Sequence, residues 1–232
     1  MSYYSLKNIL KKKAVFNVIF GERSNGKTYA TLKHGLEQYF KDGSQLAYVR
    51  RWKEDITGKR GQAVFSALVE NNEIEKLSGG KFTGIHYYTG KFFLCNYDNG
   101  KVIYSDSDVL GFLFALTDIE HDKSTSYPKV TSVIFDEFIT NRLYLPDEFV
   151  IFMNVISTIV RRRENVTIYM LGNTVNKYCP YFKEMGLEHI QKMKQGTIDV
   201  YQYGDSHLTV AVEYCKTSKE NQLKKSKKYF FM

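Results

Sequence analysis

The residues best suited to chemistry in this chain form the octapeptide GERSNGKT, which runs from Gly21 to Thr28. It fits the pattern G-x-x-x-x-G-K-[ST], in which backbone N–H groups wrap a phosphate and the lysine reaches the outer phosphates. We expect Lys27 to contact the β- and γ-phosphates of ATP and the Thr28 hydroxyl to ligate Mg²⁺. The predicted nucleotide site comprises Gly21, Glu22, Arg23, Ser24, Asn25, Gly26, Lys27 and Thr28.

A pair of carboxylates follows an apolar run further along the chain. Residues 130–135 read VTSVIF, and Asp136 and Glu137 come next. A continuous apolar run is typical of a central parallel strand, and ligands bind beyond the carboxyl ends of such strands. We expect Asp136 to hold Mg²⁺ through water, and Glu137 to orient and polarise the attacking water. The glutamate therefore favours an ATP hydrolase over a small-molecule kinase.

Local elements must bring these groups to one edge of a sheet. An apolar run at 14–20 precedes the phosphate loop and the helix-like segment TYATLKHGLEQYF follows it, so the helix N-terminus faces the phosphate. Residues 45–49 predict the next strand, and residues 166–171 predict a strand beside Asp136. The last of these strands leads to Asn173. Its carboxamide either senses the catalytic water or the γ-phosphate, or serves only in a turn.

Three arginines follow a further predicted helix. Pro146 and the apolar spacing over residues 149–160 predict this helix, and Arg161, Arg162 and Arg163 come directly after it. Their charges suit the negative end of the helix dipole, which is one interpretation. In the other interpretation, one of them is an arginine finger that supplies positive charge to a γ-phosphate held by a neighbouring subunit.

The rest of the chain predicts one large domain with two additions. Alternating aromatic residues over 81–104 predict an inserted β-meander, and residues 197–215 predict a C-terminal β-hairpin. Residues 62–77 predict a single helix. We therefore expect an α/β fold over residues 1–215, with a mostly parallel sheet between two helical layers. A basic linker or tail at 216–232 would follow.

Composition is compatible with an enzyme that meets an anionic polymer. The formal net charge is +8 and the isoelectric point is about 9.1, which favours nucleic acid as a partner. The segment RRWK at 50–53 either contacts phosphate or DNA, or pairs its first arginine with acids of the core. Three cysteines without metal-ligand spacing predict a reduced compartment and no zinc site. No run reaches the roughly 18 apolar residues that a membrane span needs, so we expect no membrane partner.

In their order and spacing, these motifs resemble the genome-packaging ATPases of phi29-like bacteriophages. The resemblance covers roughly residues 15–182 and rests on GERSNGKT, YVRRWKEDI, DKSTSYPKV before VIFDEF, STIVRRREN before YMLGNTVN, and CPYF. It implies a three-layer P-loop NTPase of the ASCE type that forms a homomeric ring, a pentamer in this family. Such a ring docks on the portal of a prohead in the host cytoplasm and drives double-stranded DNA into it, and a packaging RNA is an open question.

The resemblance also implies roles for individual residues. By motif, it places Walker A at Lys27 and Thr28, Walker B at Asp136 and Glu137, the coupling motif at Asn173, and the trans finger within 161–163. Lys123 lies where the family has a second basic group that acts across the subunit interface. The three consecutive arginines leave the finger's identity open. The family usually carries a C-terminal nuclease-like domain, for which 232 residues leave little room.

Three other functions share parts of this pattern. A P-loop ATPase for filamentous-phage assembly or secretion has the same core but predicts a membrane segment. A nucleotide kinase has an arginine-rich lid, and Glu137 argues against it. A DNA-binding scaffold would use ATP only as a structural ligand. We favour the DNA-packaging motor.

Overall fold

Nine strands form one mixed sheet in this computed structural model, which describes residues 4–118, 125–173, 179–203 and 208–216. The strands are β1 (Phe16–Gly21), β2 (Gln45–Arg50), β3 (Gly84–Tyr88), β4 (Lys91–Asp98), β5 (Lys101–Ala115), β6 (Val130–Asp136), β7 (Thr167–Asn173), β8 (Thr197–Gln202) and β9 (Thr209–Tyr214). Their order across the sheet is β3-β4-β5-β2-β6-β7-β1-β9-β8.

The six inner strands of this sheet, from β5 to β9, are all parallel to one another. The strand β7 lies between β1 and β6, as expected for the strand that follows the paired carboxylates. The inner strands read as nearly continuous apolar runs because helices cover both of their faces. The predicted α/β fold with a mostly parallel sheet is confirmed.

Seven α-helices flank this sheet within the described residues, together with short 3₁₀ turns such as 53–55 and 190–192. They are α1 (Lys7–Leu10), α2 (Lys27–Asp42), α3 (Lys59–Ala63), α4 (Ser66–Glu70), α5 (Glu73–Ser78), α6 (Glu148–Val160) and α7 (Pro180–Glu184). Apolar side chains of α1, α2, α4 and α5 form one core, and those of α6 and α7 form the other. Side chains along β1 point alternately to the two faces of the sheet, so Ile19 packs into the first core and Phe20 into the second. None of the described helices is long and apolar enough to cross a membrane.

The single helix predicted over residues 62–77 is instead divided among α3, α4 and α5. Asn72, directly before α5, adopts a left-handed conformation with φ of 56°, which a continuous right-handed helix does not allow. Between α3 and α4, Phe65 has φ of −101° and ψ of 5°, which also departs from the α-helical values. Apolar spacing alone does not reveal either interruption.

The two predicted β additions are both extensions of the central sheet. In the meander, β3, β4 and β5 are antiparallel neighbours, and β5 continues past Tyr104 to Ala115, where it pairs in parallel with β2. The hairpin strands β8 and β9 are antiparallel, and β9 lies beside β1. The hairpin turn at 204–207 and the tail from residue 217 onward lie outside the described residues.

The parallel arrangement brings four chain segments with polar groups to one edge of the sheet. The strands β1, β2, β6 and β7 end at Gly21, Arg50, Asp136 and Asn173. Gly21 is level with Asn173, and Asp136 is level with Leu171 of the intervening strand. This edge is where open α/β sheets bind their ligands.

Candidate nucleotide site

The loop between β1 and α2 forms one wall of a cavity of about 250 Å³. Two of its residues are left-handed, Ser24 with φ of 62° and Gly26 with φ of 90° at the start of α2. Glycine adopts this conformation without steric cost, which explains its position here. The residues that line the cavity are Arg23, Ser24, Asn25, Gly26, Lys27, Thr28, Tyr29, Asp136, Glu137, Leu171, Gly172 and Asn173. Most of the predicted site residues therefore lie together, and Gly21 and Glu22 contribute backbone carbonyls to the same loop.

The ammonium group of Lys27 is buried at the base of this cavity, with the residue only 6% exposed. Its Nζ donates to the Glu22 carbonyl at 2.8 Å, to the Gly21 carbonyl at 3.4 Å, and to the Oδ1 atoms of Asn25 and Asn173 at 3.1 and 3.4 Å. All four acceptors are neutral. Burial lowers the pKa of Lys27, because the charged form loses hydration. A buried cation with only neutral partners is suited to an anionic ligand such as a phosphate.

Oxygen atoms suited to Mg²⁺ lie beside this lysine. The Thr28 hydroxyl donates to Asp136 Oδ2 at 3.1 Å, and the Tyr48 hydroxyl donates to the same oxygen at 2.7 Å. Burial and the nearby Asp136 raise the pKa of Tyr48 well above its usual value, so this hydroxyl stays protonated and fixes the carboxylate. A hydroxyl and a carboxylate are the hard ligands that Mg²⁺ prefers, so the residues present fit the ion. Tyr48 was not identified from the sequence, because nothing local links it to Asp136.

The second carboxylate, Glu137, lines the same cavity and is paired with an arginine. Its Oε2 lies 2.6 Å from Arg50 Nη2, and the same nitrogen lies 3.5 Å from Asp55 Oδ2. Of the two interpretations of the RRWK segment, the structure therefore shows Arg50 paired with acids of the core. Lys53 pairs with Asp118 at 2.8 Å on the surface. The backbone of Glu137 is left-handed, with φ of 59°.

The strand β7 contributes Asn173, whose carboxamide oxygen contacts Lys27 at the cavity. Asn173 also lines the cavity, and its sensor role stays a prediction. Lys123, the second basic group implied by the family resemblance, lies outside the described residues.

The three arginines after α6 are held very differently from one another. The guanidinium of Arg163 donates to five backbone carbonyls, at distances from 2.6 to 3.1 Å; these belong to Tyr127, Pro128, Val130, Ile159 and Val160. Arg161 donates to the Thr125 carbonyl at 2.8 Å. Arg162 is exposed, and its side chain makes no hydrogen bond or ion pair with any residue that the structure describes.

The position of these arginines separates them from the phosphate loop of their own chain. Arg163 contacts the carbonyl of Val130, the first residue of β6, whereas the nucleotide cavity lies beyond Asp136, the last residue of that strand. A seven-residue strand spans about 20 Å. The arginines therefore lie at the opposite edge of the sheet and cannot complete the cavity in cis.

Comparison with known proteins decides the family. The model of the family described as "Podovirus DNA encapsidation protein (Gp16)" matches residues 1–221. The chain is 32% identical over 178 residues to the DNA packaging protein of Bacillus phage B103, an alignment that covers 75% of this chain and 48% of that protein. It is 30% identical over 185 residues to the DNA packaging protein of Bacillus phage phi29, covering 78% and 49%.

The chain belongs to the podovirus DNA encapsidation protein family. The family expected from the order and spacing of the motifs is thus confirmed. The chain spans about half the length of the curated relatives it matches.

Solved structures confirm the fold of this family member. The N-terminal domain of the DNA packaging ATPase from bacteriophage phi29 superimposes with a TM-score of 0.74 at 23% identity, covering 94% of this chain and 98% of that one. The large terminase ATPase domain of Thermus phage P74-26 superimposes with a TM-score of 0.60 at 12% identity, covering 100% and 89%.

The different environments of the arginines predict different effects on stability. Arg163→Met leaves several carbonyls at the start of β6 and the end of α6 without their charged donor, so we expect unfolding to become easier by about 2 kcal/mol. Arg162→Met is the matched control and is expected to leave the free energy of unfolding unchanged within about 0.5 kcal/mol. Urea denaturation followed by circular dichroism measures both. Equal stability of the two variants would contradict the structural role assigned to Arg163.

Proposed function

We propose that this chain provides the ATPase of a phage DNA-packaging motor, which hydrolyses ATP to move double-stranded DNA into a preformed capsid. The observation that carries the proposal is the convergence of Lys27, Thr28, Asp136 and Glu137 on one cavity, in a member of a DNA encapsidation family. Residues 1–215 would form the ATPase domain, and residues 216–232 a basic linker or tail.

In this proposal the cavity holds the triphosphate of ATP. The loop amides and Lys27 bind the phosphate oxygens, and Thr28 and Asp136 hold Mg²⁺, which neutralises charge on the phosphates when bound. Glu137 orients and polarises the attacking water. Arg50 Nη2 lies 2.6 Å from Glu137 Oε2, so a water that uses this oxygen must displace Arg50 from it.

A larger cavity of about 830 Å³ adjoins the first and would take the nucleoside. It shares Ser24, Gly26 and Tyr29 with the phosphate cavity, so one ligand can extend through both. Its walls come from the N-terminal segment, including Leu6 and Leu10, and from α2. The lining also carries polar groups of Lys33, His34 and Glu73, and apolar surface with a few polar groups suits a base and a ribose.

The arginine environments support Arg162 as the finger. Arg163 is engaged with carbonyls of its own chain and Arg161 donates to one, whereas the charge of Arg162 projects from the surface. The guanidinium of Arg162 would stabilise charge on the γ-phosphate of a neighbouring subunit. This requires a homomeric ring, for which we propose a pentamer, docked through the portal on a prohead in the host cytoplasm. Lys123 is proposed to act at the same interface, and participation of a packaging RNA is left open.

Family membership favours this function over the three alternatives. This chain matches a DNA encapsidation family, which favours neither a secretion ATPase nor a nucleotide kinase. A kinase also does not need a carboxylate such as Glu137 to orient water. A DNA-binding scaffold that uses ATP as a structural ligand would bind nucleotide without turnover. ATPase assays with duplex DNA, with nucleoside monophosphates and with liposomes separate these four functions.

Substitution of the catalytic carboxylate tests the chemistry. Glu137→Gln is expected to keep ATP and Mg²⁺ binding and to lower turnover by roughly 10²-fold or more, because the water loses its positioned base. Lys27→Ala is expected to lose nucleotide affinity as well. Steady-state ATPase assays and binding of a fluorescent ATP analogue measure the two effects. Near-normal turnover by Glu137→Gln would exclude it as the catalytic carboxylate.

Mixed rings test the finger. Arg162→Ala is expected to bind ATP normally and to hydrolyse it about 10³-fold more slowly, while Arg161→Ala has a much smaller effect. Subunits with Glu137→Gln have a finger but an inactive site, and subunits with Arg162→Ala have an intact site but no finger. Mixtures should therefore regain turnover wherever a finger faces an intact site. If assembled mixtures stay inactive, the trans role of Arg162 is wrong and Lys123 becomes the candidate.

Salt dependence tests the DNA contact. If the lysine-rich tail neutralises phosphates, the logarithm of duplex affinity should fall linearly with the logarithm of salt concentration, with a slope near −0.9 per contact. Replacing the tail lysines by glutamine should then make the slope shallower; these residues are Lys224, Lys225, Lys227 and Lys228. An unchanged slope would identify the tail as a linker, and strong sequence selectivity would argue against a packaging motor.

A further inference from the structure

The residue after β2, Arg51, contacts the main chain of the loop that follows β6. Its Nη1 donates to the Glu137 carbonyl at 3.2 Å and its Nη2 donates to the Phe138 carbonyl at 2.8 Å. On the other side, the Phe138 N–H donates to the carbonyl of Leu171 in β7 at 3.2 Å. The peptide units around Glu137 are therefore held from both sides by groups that are distant in the sequence.

The Arg51 guanidinium is itself fixed by a buried carboxylate. Its Nε and Nη2 donate to the two oxygens of Glu148 at 2.7 and 2.8 Å, in a two-point contact. Arg51 is 5% exposed and Glu148 is 3% exposed. The fork of an arginine matches the two carboxylate oxygens in one orientation, so this pair fixes the guanidinium plane.

The same carboxylate accepts hydrogen bonds from two further elements. The Tyr181 hydroxyl, in α7, donates to Glu148 Oε1 at 2.7 Å, and the Leu145 N–H donates to Oε2 at 2.8 Å. Burial and the neighbouring Glu148 raise the pKa of Tyr181, so the phenol remains a donor. The network thus connects three places: the end of β2, the loop after β6, and α7. The helix α7 follows β7, which ends at Asn173.

The backbone of Glu137 explains what such a network is needed for. A left-handed conformation at a residue other than glycine costs free energy and persists only where surrounding contacts impose it. Arg51 supplies two of these contacts, directly at the strained residue and at the next one. A buried ion pair contributes little net stability compared with apolar packing, so stability alone does not account for it.

We propose that Arg51, Glu148 and Tyr181 are positioning residues for ATP hydrolysis, which hold the backbone of Glu137 so that its carboxylate reaches the attacking water. This inference rests on the proposed function, because it requires Glu137 to be the catalytic carboxylate. None of the three side chains lines the phosphate cavity. Their loss should therefore lower kcat and leave nucleotide affinity unchanged.

Tyr181→Phe is the most conservative test, because it removes one hydroxyl and keeps the ring packed among Phe135, Phe138 and Phe152. We expect it to lower kcat severalfold, and Glu148→Gln to lower kcat by roughly 10²-fold, the scale of a small misplacement of a catalytic group. The dissociation constant of a fluorescent ATP analogue should stay within about twofold of wild type for both. Tyr169→Phe is the matched control, since Tyr169 is a buried tyrosine whose hydroxyl makes no hydrogen bond with the described residues.

The assays use the full chain, with thermal melts to establish that each variant is folded. A fall in kcat for Tyr181→Phe, with unchanged affinity and an unaffected Tyr169→Phe, supports the inference. Wild-type kcat in folded Tyr181→Phe overturns it, as does a loss of affinity in step with kcat. If Glu148→Gln does not fold, Tyr181→Phe decides alone. Failure of the proposed function is distinct: the wild-type chain would then not hydrolyse ATP, or Glu137→Gln would be fully active.

Discussion

The site depends on one constraint, namely that four parallel strands end at the same edge of the sheet. Only this arrangement places Asp136 beside Thr28 and brings Asn173 within reach of Lys27. The constraint also explains the apolar runs of the inner strands, since helices must cover both faces of a parallel sheet. Burial of Lys27 among neutral oxygen atoms follows from the same geometry, because the two strands that contact it, β1 and β7, end in the uncharged residues Gly21 and Asn173. The hydrogen-bond partners of Lys27 thus do not balance its positive charge, and a phosphate ligand would balance it.

Two consecutive arginines, the last residue of β2 and the one after it, contact Glu137, the proposed catalytic residue, in different ways. Arg50 pairs with the Glu137 side chain, and Arg51 donates to its backbone carbonyl. The first contact involves a partly exposed carboxylate and can exchange with water or another anion, whereas the second lies in a buried network with Glu148. In the proposed function, this arrangement lets the Glu137 carboxylate change its partner while its backbone stays in place. Arg50 thus affects the side chain of Glu137, whereas Arg51 fixes the position of its backbone.

The sequence predicted those parts of the fold and the site that depend on contiguous residues. The phosphate loop and the two carboxylates occur as local patterns with a strand before them, so Lys27 and Asp136 could be identified directly. Tyr48 and Glu148 could not, because their partners lie 88 and 97 residues away and no pattern connects them. The single helix expected over 62–77 was wrong because apolar spacing does not report the left-handed backbone of Asn72. Likewise, three adjacent arginines look alike until the carbonyls around Tyr127 show which of them is engaged.

The separation of the arginines from their own phosphate loop has a consequence for assembly. If Arg162 acts on a neighbouring nucleotide, the edge of the sheet where β6 begins in one subunit must approach the edge where β6 ends in the next. Such a contact joins two different surfaces of the same chain, and in a head-to-tail arrangement it repeats from one subunit to the next. Repetition of a contact between unlike surfaces produces either a closed ring or an open filament. Each nucleotide site in a ring is then completed once and every finger is used once, which links hydrolysis in one subunit to the position of the next.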